Sequence, residues 1–223
     1  MSESALFRDV VRNRHSVRSF LPAPVADAVI RSVLEEAQLA PSNCNTQPWQ
    51  VHIVSGAKLD VLSRRILADE EAGRHTPDFS FGTYPGVYGQ RLKAQGAAYY
   101  QAIGVSREAT EDRRTASLYN LKFFGAPHVA LLFMPAVGDN VRVAGDVGMY
   151  GQTFLLSLTA HGLGGIPQTM LGYYADTIRG LLGIEPSMKM LFGISFGHPD
   201  KTSAANRYRI GKASIEENVI FHS

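Results

Sequence analysis

The stretch Arg14-His15-Ser16-Val17-Arg18-Ser19-Phe20 alternates, with an arginine, a serine and a second arginine at every second position. In an extended segment, residues two apart point to the same side and lie roughly 6.6 Å apart along the chain. Two guanidinium groups and a hydroxyl then converge, which suits the several acceptor oxygens of a phosphate. This requires that the helix before the stretch has ended, because on a helix Ser16 faces away from both arginines. The alternative interpretation is a solvated basic turn.

The bulk composition around this stretch is that of an ordinary globular protein. The chain has 223 residues, of which 45% are hydrophobic and 19% charged. Its net charge is only +2, and acidic and basic residues are interspersed, so the sequence has no concentrated basic stripe of the kind that a nucleic-acid binder needs. The N-terminus does not resemble a signal peptide, and the longest apolar stretch, 129–137, is too short to span a bilayer. One cysteine excludes an internal disulfide. We therefore expect a cytoplasmic protein that binds neither membranes nor nucleic acid.

Hydrophobic periodicity and Gly/Pro punctuation predict a mixture of helices and strands. No internal repeat or linker interrupts them, so we expect a single domain over residues 1–223. The helix at 145–161 is apolar over most of its surface, which predicts burial inside the domain or against another copy of it. The apolar residues 219–221 at the end of the tail are expected to pack against something. The predicted helices cover 4–13, 26–40, 57–73, 91–103, 107–124, 145–161 and 175–182, and the predicted strands cover 49–54, 127–134 and 188–197.

Residues 41–49 read Pro-Ser-Asn-Cys-Asn-Thr-Gln-Pro-Trp, so that two prolines bracket three carboxamide side chains. A carboxamide donates and accepts hydrogen bonds at once, which suits a flat heterocycle with both kinds of group on its edge. The alternative is that these amides satisfy the backbone of their own loop. Cys44 has no cationic neighbour in the sequence, so we expect a small packing residue rather than a nucleophile.

Residues 74–89 are rich in glycine, proline and aromatic residues, and with the helices that follow they form an excursion over about 74–124. An irregular segment of this length is unusual in a compact domain unless it is a lid or a binding loop. The alternative is a satellite hydrophobic cluster beneath a long loop. Phe123 and Phe124, directly before the buried strand, are expected to belong to the core.

The sequence contains no motif for a reactive centre made of protein groups. The histidines are widely separated, so no local zinc motif exists, and G-x-S-x-G and Walker motifs are absent. The glycines at 162–165 follow a predicted helix and not a strand, which is the wrong context for a dinucleotide-binding turn. Difficult chemistry in this protein must therefore come from an organic cofactor.

Four motifs occur in order along nearly the whole chain. They are Arg14-His15-Ser16-x-Arg18-x-Phe20, Ala40-Pro41-Ser42-x-x-Asn45-x-Gln47-Pro48-Trp49, Gly162-Leu163-Gly164-x-x-Pro167-Gln168, and Phe196-Gly197-His198-Pro199 followed by Arg207-x-Arg209. Together they resemble the motifs of the FMN-dependent nitroreductase family.

The resemblance implies an α+β fold, with a mostly antiparallel central sheet flanked by helices, and an intertwined homodimer with tail exchange. FMN then lies at the dimer interface. The resemblance places Arg14, His15, Ser16, Arg18, Arg207 and Arg209 at the phosphate and ribityl chain. It places Pro41, Ser42, Asn43 and Asn45 near the flavin of the partner subunit, with Gln47 supporting that loop or the ring edge. It also places Pro167, Gln168 and Thr169 against the N5 side of the ring.

The activity implied by the resemblance is a ping-pong reaction. NAD(P)H reduces the flavin and leaves, and a small aromatic acceptor, a nitrobenzoate-like nitroaromatic or a quinone, then takes its place. No residue needs to act as a nucleophile, and Phe81, Tyr84 and Tyr88 are candidates for the lid of the substrate slot. The carboxylate that some members carry near the ring is absent here, where Gln168, Thr169 and Met170 stand. The segment 74–124 is where subgroups of the family differ most, so the acceptor stays open. The alternatives are a flavin carrier or sensor with little turnover, and a reductive dehalogenase on the same fold.

Overall fold

The structure, a computed structural model, describes residues 3–222. Residues 1, 2 and 223 of the expected domain lie outside this part of the chain. The helices are α1 (Glu3–Asn13), α2 (Asp27–Ala37), α3 (Gly56–Glu71), α4 (Gly86–Ala102), α5 (Thr110–Leu121), α6 (Val141–Ala160), α7 (Ala175–Leu182), α8 (Ala204–Arg207) and α9 (Ile215–Asn218). The strands are β1 (Gln50–Ser55), β2 (His128–Pro135), β3 (Gly164–Gln168) and β4 (Met188–Gly197), and short 3-10 turns cover Asn43–Asn45, Phe123–Gly125 and Thr169–Tyr174.

The four strands form one sheet in the order β1-β2-β4-β3, and every neighbouring pair is antiparallel. β2 lies in the interior, with its residues Val129–Met134 fully buried. A strand covered on both faces must be apolar at every position, which explains the continuous hydrophobic run in the sequence. The predicted α+β fold with an antiparallel sheet is confirmed.

Two hydrophobic clusters cover the two faces of the sheet, because alternate residues of β2 point to opposite sides. Val129, Leu131 and Phe133 face one cluster, which α3, α5 and α7 complete. Ala130, Leu132 and Met134 face the other, which α2 and α6 complete. The sheet is thus a layer between two sets of helices.

The prediction missed strand β3 and treated its residues as a helix end and a turn. Gly164, Gly165 and Pro167 are poor strand formers, yet all three fit an edge strand that pairs with β4 on one side. A side chain on either glycine would collide with its surroundings, since a Cβ on Gly165 would lie 2.9 Å from both Leu155 and Leu158. The packing of the sheet, and not local propensity, makes this segment a strand.

Other boundaries also differ from the predictions. α4 begins at Gly86, inside the stretch predicted to be irregular, and α6 begins at Val141 rather than at residue 145. Phe123 and Phe124 are buried, as predicted. Ile220 and Phe221 are 79% and 82% exposed in the single chain, so the apolar tail has no packing partner within its own protomer. Among residues 3–222, no helix is both long and apolar enough to cross a bilayer.

We expect Gly164→Ala to destabilise the fold by about 1–3 kcal/mol, because the new methyl group overpacks the core. A Cβ at this position would lie 2.5 Å from Cγ2 of Val17 and 3.1 Å from its Cβ. Gly180→Ala in α7 is the matched control: no atom lies within 4 Å of its Cβ position, and replacing a helical glycine stabilises by roughly 0.5–1 kcal/mol. Urea denaturation measures both, and equal effects of the two substitutions would contradict the packing.

His128 is a buried residue, and its burial favours the neutral form of the ring. Its Nε2 accepts from the backbone N–H of Val25 at 2.9 Å, so the ring proton sits on Nδ1, 2.5 Å from the hydroxyl of Ser55. Burial lowers the pKa of His128 below its usual value. The unfolded chain therefore binds a proton at a higher pH than the folded chain does, and stability is lost as the pH falls below about 6.5.

We expect the unfolding free energy to decline between about pH 6.5 and 5, by at most about 1.4 kcal/mol per pH unit for this one proton. His128→Gln removes the titrating ring, so its decline over the same range should be shallower. Part of the decline should persist, because burial also lowers the pKa of His15 and His52. Chemical denaturation at a series of pH values gives the two slopes, and identical slopes would exclude this role for His128.

Candidate functional site

A groove of about 1000 Å³, here called the basic groove, lies between the end of α1, helix α4 and the tail. Residues far apart in sequence meet in it, because the segments 14–18 and 208–213 form opposite parts of its wall. Its charged side chains are six cations and one carboxylate. They are Arg12, Arg14, Arg18, Arg91, Arg209, Lys212 and Glu217. An anion is the ligand for which this groove is suited.

The segment that enters the groove is extended, as the predicted convergence requires. α1 ends at Asn13, and Ser16 forms a parallel bridge with Gly165 of β3. The N–H of Val17 donates to the carbonyl of Gly165 at 3.2 Å, and the Val17 side chain is buried. The interpretation as a free solvated turn is wrong, since this segment is attached to the edge of the sheet.

Three arginines surround His15. The Nδ1–H of His15 donates to the carbonyl of Asn13 at 2.7 Å, since a carbonyl can only accept. Burial lowers the pKa of His15, and the positive charges of Arg209, Arg14 and Arg18 lower it further. The ring is therefore neutral near neutral pH, and it offers the lone pair of Nε2 rather than another charge.

Arg18 is held in place on several sides. Its guanidinium lies 5.3 Å from the ring centre of Tyr99 and 5.7 Å from that of Tyr208, within the range of cation–π attraction. It donates to the carbonyl of Ser16 at 3.3 Å, and the backbone N–H of Arg18 donates to Oδ1 of Asn206 at 2.7 Å. A guanidinium fixed in this way loses little entropy when it binds an oxyanion.

The two C-terminal arginines behave differently. Arg209 lines the groove and donates to the carbonyls of Asn206 and Tyr208 at 2.7 and 2.9 Å. Arg207 is exposed and does not line the groove. The structure thus brings together Arg14, His15, Ser16, Arg18 and Arg209 of the predicted phosphate residues and leaves Arg207 outside. Arg12, Arg91 and Lys212 were missed, because no local pattern links them to the others.

The amide loop, Ser42–Gln47, partly satisfies its own backbone. The hydroxyl of Ser42 accepts from the N–H of Gln47 at 2.9 Å, and Nε2 of Gln47 donates to the carbonyl of Asn45 at 3.1 Å. Gln47 therefore supports the loop, which is one of the two roles predicted for it. Asn43 and Asn45 are exposed and leave amide groups for a ligand.

Cys44 is exposed in the single chain, so it is not packed within its own protomer as a small packing residue would be. Its backbone adopts the left-handed conformation with φ of 50°, and Asn45 follows with φ of 58°. This tight turn directs the thiol outward. A cysteine in a loop of alternating amides carries no sequence signal for such a conformation.

The end of β3 offers backbone rather than side chains. Gln168 is buried: its Oε1 accepts from the hydroxyl of Ser195, and its Nε2 donates to the carbonyl and Oδ1 of Asn120 at 2.8 and 2.6 Å. The Gln168 side chain is thus not available to a ligand, whereas Pro167 and Thr169 are exposed. Ser16, which lines the basic groove, forms its bridge with Gly165, so the start of β3 lies next to the groove and Gln168 is three residues further along the strand.

The aromatic lid candidates do not line the basic groove. Phe81 stacks on Tyr173 with ring centres 3.9 Å apart, while Tyr84 and Tyr88 are 63% and 58% exposed. The start of the excursion is anchored, because Asp78 pairs with the buried Arg179 at 2.5 Å. Within residues 3–222, no group of three or more His, Cys, Asp or Glu side chains is placed to hold a metal ion.

Comparisons with known proteins identify the class to which this fold and groove belong. The sequence model of the Nitroreductase family matches residues 11–198, and the chain is a member of that family. The predicted family, and with it the predicted class of oxidoreductase, is confirmed.

Individual relatives match over nearly their whole length. The chain is 42% identical to the nitroreductase NfnB of Mycolicibacterium smegmatis over 95% of this chain and 91% of that protein. It is 30% identical to a 4-nitrobenzoate reductase of Pseudomonas putida over 92% and 90%. The crystal structure of the FMN-dependent NfnB from Mycobacterium smegmatis in complex with NADPH superposes with a TM-score of 0.95, at 40% identity and full coverage of both chains.

Proposed function

We propose that the protein is an FMN-dependent oxidoreductase that uses NAD(P)H to reduce nitroaromatic compounds of the nitrobenzoate type, or quinones. The observation that carries the proposal is the convergence of Arg14, Ser16, Arg18 and Arg209 in one groove beside β3. The solved relative in complex with NADPH and the 4-nitrobenzoate reductase support the choice of donor and acceptor.

The residues present fit the phosphate of FMN. Burial lowers the pKa of the Arg14 guanidinium, and a desolvated cation gains most from a nearby anion. Arg18 and Arg209 are positioned by their own hydrogen bonds, and Ser16 supplies a hydroxyl. We assign the phosphate and ribityl chain to Arg14, His15, Ser16, Arg18 and Arg209, and we leave Arg207 out of the site.

The ring of the flavin belongs, in this proposal, against the exposed edge of β3. Pro167 and Thr169 face outward there, and the backbone of Gln168 lies between them. The glycines before them serve the packing of the fold and not this approach, because Val17 packs against Gly164, and Leu155 and Leu158 pack against Gly165. When bound, the flavin carries electrons from the nicotinamide to the acceptor, and the chain binds, orients and shields the reacting rings.

A second protomer completes the site in this proposal. The amide loop does not line the basic groove of its own chain, so Pro41, Ser42, Asn43 and Asn45 can meet a flavin only if it is bound by a partner. Large apolar residues stay exposed on one chain, which is typical of surfaces that a dimer covers. They include Leu6, Phe7 and Val11 of α1, Met149 of α6, and Val219, Ile220 and Phe221 of the tail.

In this proposal, the exchanged tail of the partner packs beside strand β1. β1 is an outer strand of the sheet. Beside it lies a groove of about 520 Å³, lined by residues that include Ile30, Leu34, Trp49 and Tyr150. Apolar tail residues from a partner can fill such a groove and cover the open edge of the sheet.

Phe81, Tyr84 and Tyr88 stay candidates for the substrate lid, with Tyr84 and Tyr88 free to contact an acceptor. The single domain and the cytoplasmic location also stay predictions.

We expect the purified protein to bind FMN, to lose its yellow colour under anaerobic conditions when NADPH or NADH is added, and to regain it with 4-nitrobenzoate or a quinone. Visible absorbance follows each step. A protein that takes up no FMN contradicts the proposal. Yellow protein that neither nicotinamide bleaches is the flavin carrier, and release of halide from a halogenated phenol identifies the dehalogenase.

Arg18→Ala should weaken FMN binding by about 1.5–3 kcal/mol, because a hydrogen bond to a charged group is lost. Arg207→Ala is the matched control: it removes the same charge two residues from Arg209 but outside the groove. FMN titration followed by flavin fluorescence measures both affinities. Equal affinities of the two variants would remove Arg18 from the site.

A further inference from the structure

The amide loop is tied to the body of the protein by one buried carboxylate. Asp146, in α6, is 5% exposed, and its two oxygens lie 3.1 and 3.2 Å from the backbone nitrogen of Asn43, which donates to them. Within residues 3–222, no lysine, arginine or histidine forms an ion pair with Asp146. The hydrogen bond from the backbone of Asn43 thus ties this carboxylate to the amide loop.

A buried carboxylate without a cation is unfavourable for folding. Moving a carboxylate out of water costs free energy, and the hydrogen bond from one backbone N–H offsets only part of that cost. The other large buried side chains of α6, which include Val147, Tyr150 and Phe154, are mostly apolar, so a carboxylate is an exception in the packing of this helix. Stability alone therefore does not account for Asp146.

The loop that Asp146 holds is strained. Cys44, Asn45 and Gln47 have φ of 50°, 58° and 47°, and none of them is glycine. Side-chain-bearing residues rarely adopt this conformation, and they keep it only where surrounding contacts impose it. Contacts within the loop contribute, among them the hydrogen bond that the hydroxyl of Ser42 accepts from Gln47, and Asp146 adds the one that fixes the loop to α6 at Asn43.

The same contacts decide which groups the loop can offer. The N–H of Asn43 donates to Asp146, and those of Asn45 and Thr46 donate to the carbonyls of Ser42 and Asn43 at 3.0 and 3.1 Å. The backbone donors at these positions are thus occupied. The exposed amide side chains of Asn43 and Asn45 are the polar groups that the loop leaves for a ligand.

We propose that Asp146 is a positioning residue for the cofactor: its carboxylate holds the amide loop in its binding conformation before the flavin of the partner protomer arrives. Preorganisation of this kind raises affinity, because the ligand does not have to order the loop. The inference rests on the proposed FMN function and adds to it a residue that does not touch the cofactor.

The test compares three variants. Asp146→Ala removes both acceptors, whereas Asp146→Asn keeps one oxygen for the N–H of Asn43. Ser157→Ala is the matched control, because Ser157 is a buried polar residue of the same helix whose hydroxyl donates to Glu36 at 2.6 Å and does not contact the loop. Amide hydrogen exchange of residues 42–47 without FMN measures how well the loop is ordered. FMN titration measures the affinity for the cofactor, and visible circular dichroism reports the environment of the bound flavin.

We expect Asp146→Ala to speed exchange in the loop about tenfold or more, to raise the FMN dissociation constant by about 10–100-fold and to change the dichroism of the bound flavin. Asp146→Asn should raise the dissociation constant by only about 3–5-fold, and Ser157→Ala should match the unmodified protein in all three. If Asp146→Ala does not fold, the exchange rate and FMN affinity of Asp146→Asn alone test the inference.

Faster loop exchange with unchanged FMN affinity and dichroism would show that Asp146 is only structural and would overturn the inference. Unchanged exchange in both Asp146 variants would overturn it as well. These outcomes leave the proposed function intact, provided that the unmodified protein binds FMN. If the unmodified protein does not bind FMN, both the proposed function and this inference are wrong.

Discussion

The contact between Val17 and the glycine pair of β3 is the interaction on which the rest of the site depends. The Val17 side chain fits against Gly164, and its N–H reaches the carbonyl of Gly165 at 3.2 Å. This contact attaches the segment after α1 to the edge of the sheet, where it would otherwise be a free loop. Because Val17 points inward, its neighbours Ser16 and Arg18 are presented beside the only segment of β3 that lacks side chains. The basic groove and the strand edge are therefore set by one packing event.

Much of the fold follows from the hydrophobic pattern. The run 127–134 predicts a buried strand because every position is apolar, and alternate residues of β2 do enter the two opposite clusters. β3 could not be predicted in this way, since its composition of glycine and proline is that of a turn. Its strand conformation is imposed by pairing with β4 and by the close approach of α6. Such non-local causes leave no periodic trace in the sequence.

The site was predictable where spacing along the chain determines the geometry. Alternation alone indicated that Arg14, Ser16 and Arg18 converge, and family motifs added Arg209. The exposure of Arg207, the burial of the Gln168 side chain and the outward thiol of Cys44 depend on conformation that the sequence does not encode locally. Asp146 was missed although a signal existed: an aspartate inside a strongly apolar helix is expensive to bury, and it calls for a partner elsewhere in the chain.

The basic groove joins the two ends of the polypeptide, and this affects how the protein is made. Asn206 accepts from the N–H of Arg18, a contact between residues 188 positions apart, so the groove closes only after residues 206–212 have emerged from the ribosome. The strands of the sheet are by then all synthesised, whereas loop closure over such a separation is slow. If the groove holds FMN as proposed, loading of the cofactor is consequently a late step in maturation, and a nascent chain interrupted between residues 198 and 206 has all four strands but an incomplete groove.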